Sequence, residues 1–164
     1  MRIRILPPGL MIFTGLLGVA ATAGSADQDV TKMRKRFDLR ETVLRRFFNR
    51  NHCPTVDYSS TFLAESDANG LDWRLLPSIS FVESGAGKHA PGNNLFGWNN
   101  GLTSFASIAE SIHHVAWALS HGVAYRGKTL ESKLEIFNPE PVWKSTVLRV
   151  MNQISPGSLA HAEQ

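Results

Sequence analysis

The chain has 164 residues, of which 43% are hydrophobic and 19% are charged. This composition is sufficient for one globular domain with an apolar core, and it excludes an intrinsically disordered chain. Since the formal net charge is only +3 and the single cysteine, Cys53, cannot form an intrachain disulfide, we expect no nucleic-acid partner and a fold held by its core.

The first 26 residues have the parts of a secretory signal peptide. Arg2 and Arg4 form a basic start, residues 10–21 are apolar, and small residues at 21–26 offer two cleavage sites. A membrane anchor is the alternative, although the apolar run is short for a span. We therefore expect residues 1–26 to be removed and the protein to be exported, to a periplasm or to the cell exterior.

Residues 27–58 are predicted to be a basic N-terminal helical segment. Within residues 31–50, eight basic residues stand against only Asp38 and Glu41. These two acids also form an N-cap signature for a helix over about residues 39–49. The basic face offers contact with an anionic wall or membrane surface, and a solvated helix face is the other interpretation.

Residues 59–156 are predicted to form an all-α domain, because apolar residues recur at helical spacing and strand signals are nearly absent. Capping and helix-breaking residues mark the ends of five helices. The first four run from Ser59 or Ser60 to Asn69-Gly70, from Asp72 to Gly85, from Ser104 to Gly122 and from Thr129 to Asn138-Pro139, and the last ends before Pro156-Gly157. Pro77 either separates the first turn of the second helix or bends that helix. Residues 86–103 are predicted to be a long loop, with a small hairpin as an option, and residues 157–164 a flexible tail.

Glu83 is a carboxylate at the end of a largely apolar helix. On a helical wheel it falls beside Leu76, roughly 50° from the centre of the apolar face. We expect its carboxyl at the edge of the core, where partial desolvation and the helix C-terminus both oppose ionisation. A carboxyl kept protonated near neutral pH is suited to general acid catalysis. An ordinary solvent-facing glutamate is the alternative, and the triplet Glu-Ser-Gly alone does not separate the two.

The surroundings of Glu83 resemble the glucosaminidase (mannosyl-glycoprotein endo-β-N-acetylglucosaminidase-like) domains of the lysozyme-like superfamily, which are secreted peptidoglycan hydrolases. Four ordered pieces carry the resemblance: Leu71-Asp72 with Arg74-Leu75-Leu76, Glu83-Ser84-Gly85 with Gly87-Lys88, Asn93 to Trp98, and Phe105 with Ser107. The segments Tyr125-Arg126-Gly127-Lys128 and Phe137-Asn138-Pro139 look like the family's later Tyr and Tyr-Asn-Pro positions.

The resemblance implies a lysozyme-like helical fold and a site for peptidoglycan or another N-acetylated glycan. Glu83 would protonate the glycosidic oxygen, and the substrate-binding residues would be Ser84, Asn94, Trp98, Tyr125 and Asn138. Asn94 would bind an N-acetyl group, and Trp98 would stack on a sugar, with a core aromatic as the equal alternative for Trp98. Phe137 replaces the family's Tyr, and a helix stop is the safer interpretation of Asn138.

A second catalytic carboxylate, which most glycosidases use, is not evident. Only six residues separate Trp98 from Phe105, which leaves no room for the β-lobe that carries this acid in many relatives. Glu110 fits a cap pair with Ser107, Asp72 fits an N-cap, and Glu65 has no positive argument. We therefore expect a single-acid mechanism assisted by the substrate's own N-acetyl or hydroxyl group.

Alternatives to the glucosaminidase are a lytic transglycosylase or muramidase and a non-catalytic glycan-binding module of the same fold. We expect no cofactor and no metal, because His113 and His114 point about 100° apart on a helix and cannot hold one ion together. A monomer is expected.

Overall fold

The computed structural model describes residues 38–156. The predicted signal peptide at 1–26, residues 27–37 of the basic segment and the predicted tail at 157–164 lie outside these residues. Within the described part the protein is all-α, as predicted, and contains no strand. None of its helices is both long enough and apolar enough to cross a membrane.

Six α-helices make up the described domain. In chain order they are α1 (Leu39–Arg50), α2 (Ser59–Ala68), α3 (Leu75–Ser84), α4 (Ile108–His121), α5 (Leu130–Phe137) and α6 (Pro141–Ile154). Two short 3₁₀ segments, Pro54–Tyr58 and Pro91–Asn93, lie in the connections. The optional hairpin in residues 86–103 is not formed.

Local capping chemistry sets most helix ends. Asp38 caps α1 by accepting from the Arg40 backbone N–H, and Thr129 caps α5 by accepting from that of Ser132. The predicted start of α4 at Ser104 is wrong. Ser107 accepts from the Glu110 N–H and the Glu110 carboxylate accepts from the Ala106 N–H, so this reciprocal pair begins the helix three residues later.

Helices α2 and α3 also begin differently from the sequence prediction. Ser59 lies inside α2 and donates its hydroxyl to the Val56 carbonyl, which ties the helix to the preceding 3₁₀ segment. Helix α3 begins only at Leu75, after a turn in which Asp72 accepts from the Arg74 N–H. Pro77 therefore falls in the first turn of α3, where its missing N–H costs no helical hydrogen bond.

One apolar core joins all the described helices. Helix α1 contributes Leu44, Phe47 and Phe48 to the same buried cluster as the later helices. The described part of the predicted segment 27–58 therefore packs together with the helices that follow it. Cys53 is buried in this cluster, where desolvation raises the pKa of its thiol.

Helices α3 and α6 run antiparallel and are joined at one end by Arg74. Arg74 is only 7% exposed. Its guanidinium pairs with Asp72 at 2.6 Å and donates from Nη1 to the Ser155 carbonyl at 2.8 Å. Arg74 precedes α3 and Ser155 follows α6, so the start of one helix is bonded to the end of the other. Glu83, near the end of α3, is thereby directed to the start of α6.

Candidate functional site

Glu83 is the next-to-last residue of α3, and the chain turns away directly after it. Gly85 adopts a left-handed conformation with φ of 63°. Its N–H donates to the Phe81 carbonyl, which is the bond of an αL-type helix ending, and the Ala86 N–H donates to the Ser80 carbonyl. The sharp turn leaves the side chain of Glu83 at the mouth of a loop rather than along a continuing helix.

The Glu83 carboxylate receives a short hydrogen bond from α6. Trp143 Nε1 donates to Glu83 Oε1 at 2.6 Å. Glu83 is open to solvent, yet enough protein surrounds its carboxyl that desolvation raises its pKa, against the opposing effect of the Trp143 bond. An acid that water can reach but that resists ionisation is the arrangement that proton donation to a ligand requires.

Aromatic rings continue away from this carboxylate in a row that we call the aromatic row: Trp143, Phe137, Trp98, His114 and Phe105. Trp143 and Phe137 are stacked, with centroids 5.4 Å apart and planes at 8°. Phe137 lies 5.9 Å from Trp98 and Trp98 lies 5.5 Å from His114. His114 in turn lies 5.3 Å from Phe105. Sugar rings bind to such apolar surfaces through their C–H faces.

The loop opposite Glu83 approaches through Gly97. This glycine has φ of 59°, and a Cβ built on it would lie 2.8 Å from Glu83 Oε2. Since real Cβ atoms do not approach oxygen so closely, glycine is needed both for the backbone conformation and for the space. The loop therefore forms one wall of the site directly against the acid.

Asn94 holds that loop from inside. Its side chain is bonded to three backbone groups of the loop, accepting from the Trp98 N–H and donating to the carbonyls of Trp98 and Thr103. It is 3% exposed. The predicted N-acetyl contact of Asn94 stays a prediction, and this geometry instead gives the amide a structural role.

Ser84 and Asn138 are likewise engaged within the chain. The Ser84 hydroxyl donates to the Ser80 carbonyl and accepts from the Gly87 N–H. Asn138 ends α5, and its Oδ1 accepts from the Glu140 N–H, which agrees with its interpretation as a helix stop. Their predicted contacts with a substrate remain untested.

Tyr125 is half-buried after α4, and burial raises the pKa of its hydroxyl. No described contact joins it to Glu83. Its predicted place near an anomeric centre remains a prediction.

The three acids considered as a second carboxylate each have a local partner. Glu110 closes the N-terminus of α4, and Asp72 pairs with Arg74. Glu65 Oε2 lies 3.0 Å from His113 Nδ1. Across residues 38–156, no cluster of three or more His, Cys, Asp or Glu side chains is arranged to hold a metal ion.

A second surface feature lies on α1. Thr42, Asn49 and three arginines, Arg45, Arg46 and Arg50, line an open depression. Arg45 is paired with Asp57 at 3.2 Å. Arg46 and Arg50 have no ion pair with any described residue and extend into solvent. The described part of the predicted basic segment therefore does present unneutralised positive charge.

Sequence reasoning missed Trp143 as part of the site and gave no individual role to Gly97 or to the ring of Phe137. Trp143 falls on the apolar stripe of the last helix and so reads as a core residue. The available signal was its place near the helix start, since an indole combines an apolar face with a polar donor and is therefore suited to the boundary between core and solvent.

Comparison of the chain with protein-family models, with curated proteins and with solved structures finds no match.

Proposed function

We propose that the chain is an exported peptidoglycan hydrolase that cleaves β-1,4 glycosidic bonds of glycan strands, in the manner of an endo-N-acetylglucosaminidase, with Glu83 as the general acid. The observation that carries the proposal is the state of the Glu83 carboxyl, which is reachable by solvent while its pKa is raised by desolvation. The adjoining aromatic row, with Trp98 in it, supports a sugar as the ligand.

In the proposed reaction the bond between the anomeric carbon and the leaving oxygen breaks, and its electron pair goes to that oxygen. The oxygen takes the proton of Glu83. The carbonyl oxygen of the substrate's acetamido group forms the new bond to the anomeric carbon, so no second protein carboxylate is needed. Water then opens this cyclic intermediate and returns one proton to the Glu83 carboxylate, which restores the enzyme.

Glu83→Gln tests the proposal because it keeps the shape of the side chain and its acceptor for Trp143 while removing the transferable proton. Glu131→Gln, on the exposed first turn of α5, is the matched control. Wild type and the control are expected to clear a gel containing cell walls, and Glu83→Gln is expected to leave it intact. Clearing by Glu83→Gln would overturn the proposal.

The mass of the digestion products identifies the bond and the reaction. A product with N-acetylglucosamine at the reducing end supports the glucosaminidase. A reducing-end muramic acid indicates a muramidase instead, and a product lighter by one water indicates a lytic transglycosylase, in which a substrate hydroxyl attacks the anomeric carbon.

A non-catalytic glycan-binding module is the second candidate. It is favoured by the internal pairing of Ser84, Asn94 and Asn138, which leaves the aromatic row as the main ligand surface. If wild type and Glu83→Gln are equally inactive and both sediment with peptidoglycan sacculi, this candidate replaces the hydrolase. In either case the basic depression on α1 would bind the anionic polymers of a wall or membrane surface.

A further inference from the structure

The two oxygens of the Glu83 carboxyl have different surroundings. Oε1 accepts from the Trp143 indole N–H at 2.6 Å, while Oε2 lies against the backbone of Gly97. An indole nitrogen donates and never accepts a hydrogen bond. The oxygen that it contacts must therefore act as an acceptor whether Glu83 is charged or neutral.

The Trp143 ring is held in place by its own neighbours. It stacks on Phe137 with nearly parallel planes and centroids 5.4 Å apart, and Phe137 in turn packs against Trp98, with centroids 5.9 Å apart. The turn between α5 and α6 is closed by the bond from the Glu140 N–H to Asn138 Oδ1, and Pro141 begins α6 with a restricted φ. The donor thus has a fixed direction before any ligand binds.

We infer that Trp143 is a positioning residue that reserves Oε1 as an acceptor and thereby places the catalytic proton of Glu83 on Oε2, on the Gly97 side of the site. The inference rests on the proposed function of Glu83 as a general acid. It makes the wall at Gly97 the side on which the glycosidic oxygen is protonated.

The same bond has a second effect during the reaction. When Oε2 gives up its proton, the carboxyl becomes negatively charged, and a preorganised N–H on Oε1 stabilises that charge as it develops. The Trp143 bond therefore stabilises the charged carboxylate that remains after proton transfer, whereas desolvation stabilises the neutral carboxyl that precedes it. Removing the N–H leaves desolvation unopposed and raises the pKa of Glu83 further.

Trp143→Phe tests this inference because it keeps an aromatic ring for stacking on Phe137 and removes the N–H donor together with part of the indole ring. Trp117→Phe is the matched control, since Trp117 is 53% exposed and stacks on His121. The first measurement is the pKa of Glu83 in the full chain by NMR of labelled carboxyl carbons, assigned with Glu83→Gln. The second is the pH profile of cell-wall cleavage.

In Trp143→Phe we expect the pKa of Glu83 to rise and the alkaline limb of the pH profile to move upward with it. We expect kcat to fall by about tenfold to a hundredfold. Removing one hydrogen-bond donor from a developing charge typically costs about a hundredfold or more in kcat, and Trp143 contacts the acid rather than the substrate. Trp117→Phe should change neither quantity. If the Trp143→Phe variant is active and the pKa of Glu83 is unchanged or lowered, the inference is wrong but the proposed function stands. If the wild-type protein shows no turnover, both the proposed function and the inference are wrong.

If Trp143→Phe does not fold, as judged by circular dichroism, the wild-type chain provides the test. The indole N–H resonance of Trp143 should shift with pH at the pKa of Glu83, and this shift should vanish in Glu83→Gln. A Trp143 resonance that does not respond to the ionisation of Glu83 overturns the inference.

Discussion

Asn94 is bonded to both backbone groups of Trp98: its Oδ1 accepts from the Trp98 N–H at 2.8 Å and its Nδ2 donates to the Trp98 carbonyl at 3.0 Å. The same Nδ2 also donates to the Thr103 carbonyl at 2.9 Å. One buried amide therefore sets the path of the loop that carries both Gly97 and Trp98.

Asn94→Asp should destabilise the fold, because it replaces a donor by an acceptor against two partly buried carbonyls. We expect a loss of about 1–3 kcal/mol in the free energy of unfolding for each group left unpaired, measured by urea denaturation. Asn99→Asp is the control, since Asn99 lies exposed in the same loop and Asp tolerates its left-handed backbone. Equal stability of the two variants would contradict the structural role of Asn94.

Gly97→Ala should reduce activity by more than its loss of stability explains. Alanine in a left-handed conformation costs about 1–2 kcal/mol, and here its Cβ would also contact Glu83 Oε2. Gly101→Ala shares the positive φ but meets nothing within 4 Å, so it carries the backbone cost alone. Thermal melting and cell-wall cleavage are measured for both variants, and similar activities would argue against a functional contact between Gly97 and the acid.

Glu83→Gln should become more stable relative to wild type as pH rises. Desolvation raises the pKa of Glu83 in the folded state above its ordinary value of 4.5. In the pH interval between the ordinary and the raised pKa, the folded chain therefore binds more protons than the unfolded chain. Wild type therefore loses stability as pH rises through the interval, and the glutamine variant does not. Urea midpoints at pH 4 and pH 7 measure the difference, and a difference independent of pH would show that the folded pKa is not raised.

Arg46→Glu with Arg50→Glu should weaken binding to anionic vesicles at low salt, because these two guanidinium groups have no ion pair in residues 38–156. Arg126→Glu with Lys128→Glu makes the same change in net charge on the exposed segment after α4. Cosedimentation at several salt concentrations compares the pairs. Equal weakening would mean that net charge, rather than the α1 depression, governs binding.

Local chemistry made the helices predictable, and distant contacts limited the prediction of the site. Asp38, Thr129 and Gly122 act within a few residues of the helix ends that they mark, so their roles can be inferred from neighbours alone. Ser104 and Ser107 were both plausible caps, and only the reciprocal bond with Glu110 decides between them. Glu83 could be placed at a helix end and at the edge of the core by periodicity.

The partner of Glu83 could not be inferred in the same way, because Trp143 lies 60 residues further along the chain. Apolar periodicity assigns such a residue to a helix face but does not say which groups lie opposite. Asn94 shows a related limit: an amide can bond a ligand or its own loop, and the choice depends on whether the loop buries it. Both questions are decided by tertiary packing.

Helices α3 and α6 are fastened at both extremities, by Arg74 with Ser155 and by Glu83 with Trp143. Adding or deleting one residue in either helix would advance its far end by about 1.5 Å and rotate it by about 100°. Such a change would carry Trp143 away from the acid or Ser155 away from Arg74. The lengths of these two helices are thus constrained together, and homologous chains should vary in their connecting loops before they vary in either length.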